Sequence, residues 1–177
     1  MAWYCLFCKA GQEQNVIRML EERGAKPLAP LTVQLRPGEA GLEKTRRRLL
    51  PGYVFFRQEG VPDWPGIVRF SAVIKVLHYQ DETPELRGAD LSFVRWLELH
   101  EGLIDVSGAV KTGTKIAFVS GPLMGMEGQV LKVNKARRQV QIALGGEGDL
   151  FHTVWCAIEY VQEKGENEPT SAVKDRS

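Results

Sequence analysis

The sequence predicts an α+β fold in two modules: an N-terminal α/β sandwich, then a linker, then a small all-β, SH3-like barrel. Two observations carry this. Over the first hundred residues, apolar strand-like runs alternate with stretches of helical periodicity. From Lys115 onward the pattern changes to short apolar runs separated by turn signals. Between them, His100 to Gly113 loses periodicity and carries Gly102, Gly108 and Gly113. The expected division is therefore residues 1–100, a linker at 101–112, a barrel at 113–162 and a disordered tail at 163–177, which is charged and poor in apolar residues.

Trp3 to Lys9 reads as a strand closed by Gly11. A helix follows from Gln12 to Arg23, where Val16, Met19 and Leu20 fall at i, i+3 and i+4 and Gly24 supplies the stop. Lys26 to Gln34, with two prolines, is expected to be an extended edge strand. Arg36 to Thr45, with Pro37, Gly38 and Gly41, reads as a mobile loop or a hairpin tip, and the basic run Arg46-Arg47-Arg48 lies at its far end.

The stretch Leu50-Pro51-Gly52-Tyr53-Val54-Phe55-Phe56 then has the character of a buried strand, with its proline at the entry where the missing N–H costs nothing. Tyr53 and Phe55, two apart, share one sheet face and are candidates for an apolar socket. Val61 to Gly66 is a turn-rich entry to a short helix ending at Arg69, and Val73 to His78 alternates like a strand. Asp90 reads as an N-cap for a helix to Leu99 whose apolar face includes Phe93, Val94, Trp96 and Leu97. These elements suggest a mixed sheet with helices packed on it. In the barrel, five strands are expected at Ile116–Val119, Val130–Val133, Val140–Leu144, Phe151–Val154 and Ile158–Val161.

Composition excludes several classes of function. The net charge of +1 is locally balanced: residues 1–110 carry 14 Lys/Arg against 14 Asp/Glu, and residues 111–161 carry 6 against 4. Nucleic-acid binding therefore rests on local clusters, not on bulk charge. Cys5 and Cys8 form a C-x-x-C, but three residues apart in a strand they point to opposite faces and cannot converge on a metal. His78, His100 and His152 stand on separate elements without a nucleophile or acid at motif spacing. Gly121 to Gly128 and Gly145 to Gly148 lack the Gly-Lys-Ser/Thr ending of a phosphate loop. No enzyme, cofactor or metal is expected. The opening apolar run is too short for a signal h-region, nothing reaches membrane-spanning length, and the cysteine usage fits a reducing cytoplasm.

Three stretches taken together and in order resemble the NusG family of transcription elongation factors. They are Ala2-Trp3-Tyr4-Cys5-Leu6-Phe7-Cys8-Lys9-Ala10-Gly11-Gln12-Glu13, the Leu50 to Phe56 stretch, and Val119-Ser120-Gly121-Pro122-Leu123-Met124-Gly125-Met126-Glu127-Gly128. The resemblance spans roughly residues 1 to 162 and implies an NGN domain followed by a KOW barrel. The opening motif, Pro27-Leu28-Ala29-Pro30, and Met126 where general factors carry an aromatic are similar to specialised paralogues of the LoaP or RfaH type.

That resemblance implies a monomeric transcription antitermination factor acting by binding alone. Phe7, Leu50, Tyr53, Phe55, Val94 and Leu97 match a socket for the β′ clamp helices of RNA polymerase, with the β gate loop as a further contact. Lys9 and Arg69 match positions for non-template DNA, and Arg46, Arg47 and Arg48 are candidates to extend that surface, or else a solvated loop edge. Lys111, Lys115, Lys132, Asn134, Lys135, Arg137 and Arg138 form a basic rim on the barrel suited to a nascent RNA hairpin. Two other readings stay open: a general NusG factor bridging polymerase to Rho or the ribosome, and a ribosome-associated KOW RNA-binding protein.

Overall fold

Ala2–Cys8 forms strand β1, and its strict alternation sets up two cores at once. Trp3, Cys5 and Phe7 face one side of the sheet, while Tyr4, Leu6 and Cys8 face the other. The two thiols of the C-x-x-C thus enter different cores, and both are free and buried. The computed structural model describes residues 1–161, so the stretch 163–177 expected to be disordered lies outside the described residues.

The remaining elements follow in order: α1 (Glu13–Glu22), β2 (Lys26–Leu28), β3 (Leu31–Gly38), β4 (Gly41–Arg48), β5 (Tyr53–Gln58), α2 (Trp64–Arg69), β6 (Val73–Val76) and α3 (Gly88–Leu99). Then come β7 (Leu103–Ile104), β8 (Ser107–Thr112), β9 (Lys115–Ser120), β10 (Val130–Asn134), β11 (Gln139–Ala143) and β12 (Thr153–Tyr160). The fold is α+β, mostly sheet with few helices. The first sheet has the order β2-β5-β1-β6. All of its pairings are antiparallel, so the expected mixed sheet is replaced by a uniform one. Residues of α1 and α2 (Val16, Met19, Leu20 and Ile67) cover Tyr4, Leu6, Val54 and Phe56. Phe93, Val94 and Leu97 of α3 cover Trp3, Cys5 and Phe55 on the opposite face.

The turn before β5 is built around Gly52. Its φ is +86°, and a Cβ there would lie 2.7 Å from the Phe7 ring and 3.0 Å from the Cys8 carbonyl. Glycine is required on both counts. The Gly52 N–H donates to Glu13 Oε1 at 2.9 Å and its carbonyl accepts from the Cys8 N–H at 2.7 Å, locking α1, β1 and β5 together.

Several local expectations are corrected. The segment 36–45 is neither a loop nor only a tip: β3 and β4 run as an eight-residue antiparallel ribbon closed at Gly38 and Gly41. Arg46, Arg47 and Arg48 are therefore strand residues. The run 101–112, expected as a linker, holds β7, which pairs with β3, and β8, which pairs in parallel with β12. The two strands expected at 151–154 and 158–161 merge into β12, so the five strands of the second sheet are not the five predicted. Its order is β10-β11-β12-β8-β9, with β9 and β10 as its hydrogen-bonded edges. This is a half-barrel where a small SH3-like barrel was expected. The central strand β12 is flanked on both sides, and Cys156, Ala157 and Ile158 are all buried, which erases the alternation a half-exposed strand shows. Short β8 is rich in small residues; it forms a hairpin with the adjacent β9 and pairs on its other side with β12, some fifty residues away.

Candidate functional site

The six residues expected to form a socket converge. Phe55, Val94 and Leu97 are fully buried, and Phe7, Leu50 and Tyr53 pack against them half-buried in one cluster. Phe7 and Tyr53 lie with ring centroids 5.0 Å apart.

What the sequence did not foretell is that this face is covered. Phe151, just before β12, inserts between the elements of the first module. Its ring centroid lies 5.2 Å from Phe55, 5.5 Å from Tyr53 and 5.7 Å from Phe93, and it is buried. Rings at these separations attract one another beyond simple area burial. Buried barrel residues such as Leu123, Ile142 and Val154 join the same cluster as Phe93 and Leu97. The two modules share one core through the socket face.

Polar contacts fix the register of this docking. Asp90 is buried, and its carboxylate accepts from the Phe151 N–H and the Leu150 N–H at 3.0 Å each, and from the Tyr79 hydroxyl at 2.7 Å. This overturns the expected N-cap role: Arg87 occupies that position, without a side-chain cap, and Asp90 sits inside the helix. Its carboxylate is spent across the modules because buried backbone donors of the 145–151 loop have no other acceptor. Burial pushes the Tyr79 hydroxyl up to about 12; the Arg87 N–H opposes this and the Asp90 carboxylate adds to it. On the far side of α3, Trp96 Nε1 donates to the Pro122 carbonyl at 3.1 Å. Met126 lines a small cavity of about 220 Å³ with Phe93 and Trp96, so this position faces the module interface.

The loop that presents Phe151 is stapled from within. Asp149 Oδ2 accepts from the Gly146 N–H at 2.8 Å and the Leu144 N–H donates to the His152 carbonyl at 2.7 Å. The Asp149 carboxylate thus closes the turn that precedes Phe151.

The nucleic-acid candidates divide into groups. Lys9 and Arg69 are both exposed, and the Lys9 N–H donates to the Ala72 carbonyl at 2.9 Å, three residues beyond Arg69. Arg46, Arg47 and Arg48 line a groove that also includes Ala10 and Gly11, next to Lys9. On the second module, Lys111, Lys115 and Lys135 line a cavity of about 670 Å³ with Ile116, Val133 and Tyr160. The side chain and charge of Lys135 lower the pKa of Lys111. Lys132, Arg137 and Arg138 are exposed on the β10–β11 hairpin, but Asn134 Oδ1 accepts from the Arg137 N–H at 3.0 Å and closes the turn. Asn134 is thus a turn-forming residue within the predicted RNA-binding set.

Glu13 offers a test of the first module alone. Burial disfavours its charge, but the N–H groups of Glu13 itself, Gly52 and Gly11, and the Arg48 guanidinium, outweigh this and hold its carboxyl below the ordinary 4.5. A lowered carboxylate pKa adds stability that is present above the unfolded value and is lost as pH falls through the folded one. Glu13→Gln is expected to lower stability at pH 7 and to flatten its decline below pH 4.5. Urea denaturation at stepped pH checks this, and an unchanged acid limb would refute it.

An aromatic-faced α+β module with basic surfaces beside it is thus docked through an apolar face on a small β module. A family model described as transcription termination factor nusG matches residues 1–93, and the chain belongs to the NusG family. Among solved structures, the chain is similar to Thermotoga maritima NusG, described for its domain interaction, at 18% identity over 87% of this chain and 90% of that one, with a TM-score of 0.46. It is also similar to a chain of an MjSpt4:Spt5 complex at 16% identity, covering 88% of this chain and 91% of that one, with a TM-score of 0.31. No curated protein matches the chain.

Proposed function

We propose that this chain is a transcription elongation factor of the specialised, antiterminating kind, whose polymerase-binding face is closed in the free protein. In this reading Phe7, Leu50, Tyr53, Phe55, Val94 and Leu97 receive the β′ clamp helices of RNA polymerase, and neighbouring loops reach the β gate loop. A factor that binds the closed clamp better than the open one by about 1.4 kcal/mol shifts paused to active complexes tenfold, with no catalytic group involved. The observation that carries the reading is Phe151 seated among Tyr53, Phe55 and Phe93. An apolar face complete enough to take a partner is held by the protein's own second module.

Opening then requires a ligand that prefers the undocked form. The basic rim of Lys111, Lys115, Lys132, Lys135, Arg137 and Arg138 suits a nascent RNA hairpin, gripped by phosphates and shape. The test is a titration of core RNA polymerase with the full chain, with and without a structured RNA hairpin, for the native sequence and Tyr53→Ala. Tyr53→Ala is expected to weaken polymerase binding by about tenfold, the effect of losing a central aromatic anchor. The hairpin is expected to strengthen it for the native chain. Polymerase binding indifferent to Tyr53→Ala refutes the socket and favours a ribosome-associated RNA-binding protein.

A further inference from the structure

The docked arrangement creates a second groove that belongs to neither module alone. Its volume is about 620 Å³, and it is lined on one side by Arg46, Arg47 and Gln34 of the β3–β4 ribbon and on the other by Gln139 and Trp155 of the half-barrel. The β3 strand lies against β12, which brings the two walls together. Its charge is unbalanced: among the described residues the ion pairs are Lys44 with Asp105, Arg57 with Glu98 and Arg87 with Asp81, none of which includes these arginines. Glu13 also borders the groove, but it is buried and its Oε1 accepts from the Gly52 N–H. Arg47 Nη1 donates to Gln34 Oε1 at 2.9 Å, which presents the guanidinium along the ribbon.

Trp155 supplies the other half of the chemistry. With 37% of its surface exposed it is more open than the other three tryptophans, and it stands on the solvent side of β12 opposite Gln141. An indole kept at the surface between the buried Val154 and Cys156, facing a row of arginines, has the two parts of a single-strand site: cations for the backbone and a flat ring for a base. The Gln139 amide lies at the same groove and can bond a base edge, while the Gln34 Oε1 is taken up by Arg36 and Arg47.

We infer that this groove binds a short stretch of single-stranded nucleic acid, with phosphates on Arg46 and Arg47 and a base stacked on Trp155, and that it does so only while the modules are docked. The base must be unpaired to reach the indole, which excludes a duplex. Because the site exists only in the docked form, the strand stabilises that form and opposes polymerase binding at the socket face, by an equal factor in each direction. That last consequence rests on the polymerase reading above; the groove itself does not.

The test uses the full chain with oligothymidine and oligouridine of about twelve nucleotides, followed by tryptophan fluorescence and by anisotropy of a labelled strand. Binding is expected to quench the emission. Trp155→Ala is expected to weaken affinity by about tenfold without altering the salt slope, as loss of one stacked base does. Arg46→Ala/Arg47→Ala is expected to weaken it while reducing the slope by about 0.7 for each phosphate that is no longer neutralised. Phe151→Ala, which undocks the modules and touches no groove residue, is expected to weaken binding as much as Trp155→Ala does. A tighter oligothymidine arm identifies DNA as the ligand, and a tighter oligouridine arm identifies RNA. Affinity unchanged in both Trp155→Ala and Phe151→Ala overturns the composite site and leaves the ribbon as an ordinary basic surface; absence of binding in both arms overturns it outright.

Discussion

Phe151→Ala is expected to tighten the binding of RNA polymerase by about tenfold or more. Removing a buried phenylalanine from a packed core costs about 3–5 kcal/mol, and here the ring's aromatic partners, Tyr53, Phe55 and Phe93, all belong to the other module. The destabilisation therefore falls on docking rather than on either module's own core. A protein whose competent state is a small fraction of the total binds with an affinity reduced by that fraction, so weakening the closed state restores the affinity. Polymerase titration of the native chain and the variant checks this. Integrity of the first module is monitored by hydrogen exchange in β1 and in the core of Tyr4, Phe56 and Trp64, which lies on the opposite sheet face. Equal or weaker affinity in a variant with that core intact would show that the second module does not mask the face.

The second large effect is at Asp90. Asp90→Ala removes the acceptor of three donors, the Leu150 N–H, the Phe151 N–H and the Tyr79 hydroxyl, in a place shielded from water. Each buried donor left without a partner costs about 1–3 kcal/mol, so a total of about 3–5 kcal/mol is expected, or about 10 °C in Tm for a chain of this size. Two of the three donors cross the module boundary. Amide exchange at Leu150 and Phe151 should accordingly accelerate by about a hundredfold, equivalent to about 2.7 kcal/mol. Asp90→Asn keeps one carbonyl acceptor and is expected to fall between the native chain and the alanine variant. Exchange at these two amides that is no faster in Asp90→Ala would mean that the carboxylate does not hold the modules together.

The two variants act on one equilibrium by different chemistry, and together they separate it from folding. Phe151→Ala removes packing and leaves the Asp90 contacts available to the backbone of the same loop. Asp90→Ala removes the polar register and also releases Tyr79, which belongs to the first module.

What was legible in the sequence was whatever depends on near neighbours. The alternation of Trp3, Cys5 and Phe7 against Tyr4, Leu6 and Cys8, and of Tyr53 and Phe55 against Val54 and Phe56, follows from the two-residue period of a strand and divides both runs between two cores. The stripe of Val16, Met19 and Leu20 likewise places α1, because helix neighbours lie three and four apart. The convergence of the socket residues was available from the same reasoning, joined to the resemblance of three motifs.

Pairings between distant segments are settled by the folded chain as a whole. Small residues at Ser107, Gly108 and Ala109 carry no periodic signal, and they become a strand because β12 on one side and β9 on the other supply their ladders. Cys156 and Ala157 look like a break between two strands until their place at the sheet's centre buries them. Asp90 reads as a cap because helix starts favour aspartate, and it becomes a docking ligand because two buried N–H groups some sixty residues away require an acceptor. Local geometry was enough to place most of the elements and to put Tyr53 and Phe55 on one sheet face. That Phe151 fills the socket and that Trp155 faces the arginine ribbon emerged on folding, because burial and hydrogen-bond satisfaction are resolved between segments that no local pattern connects.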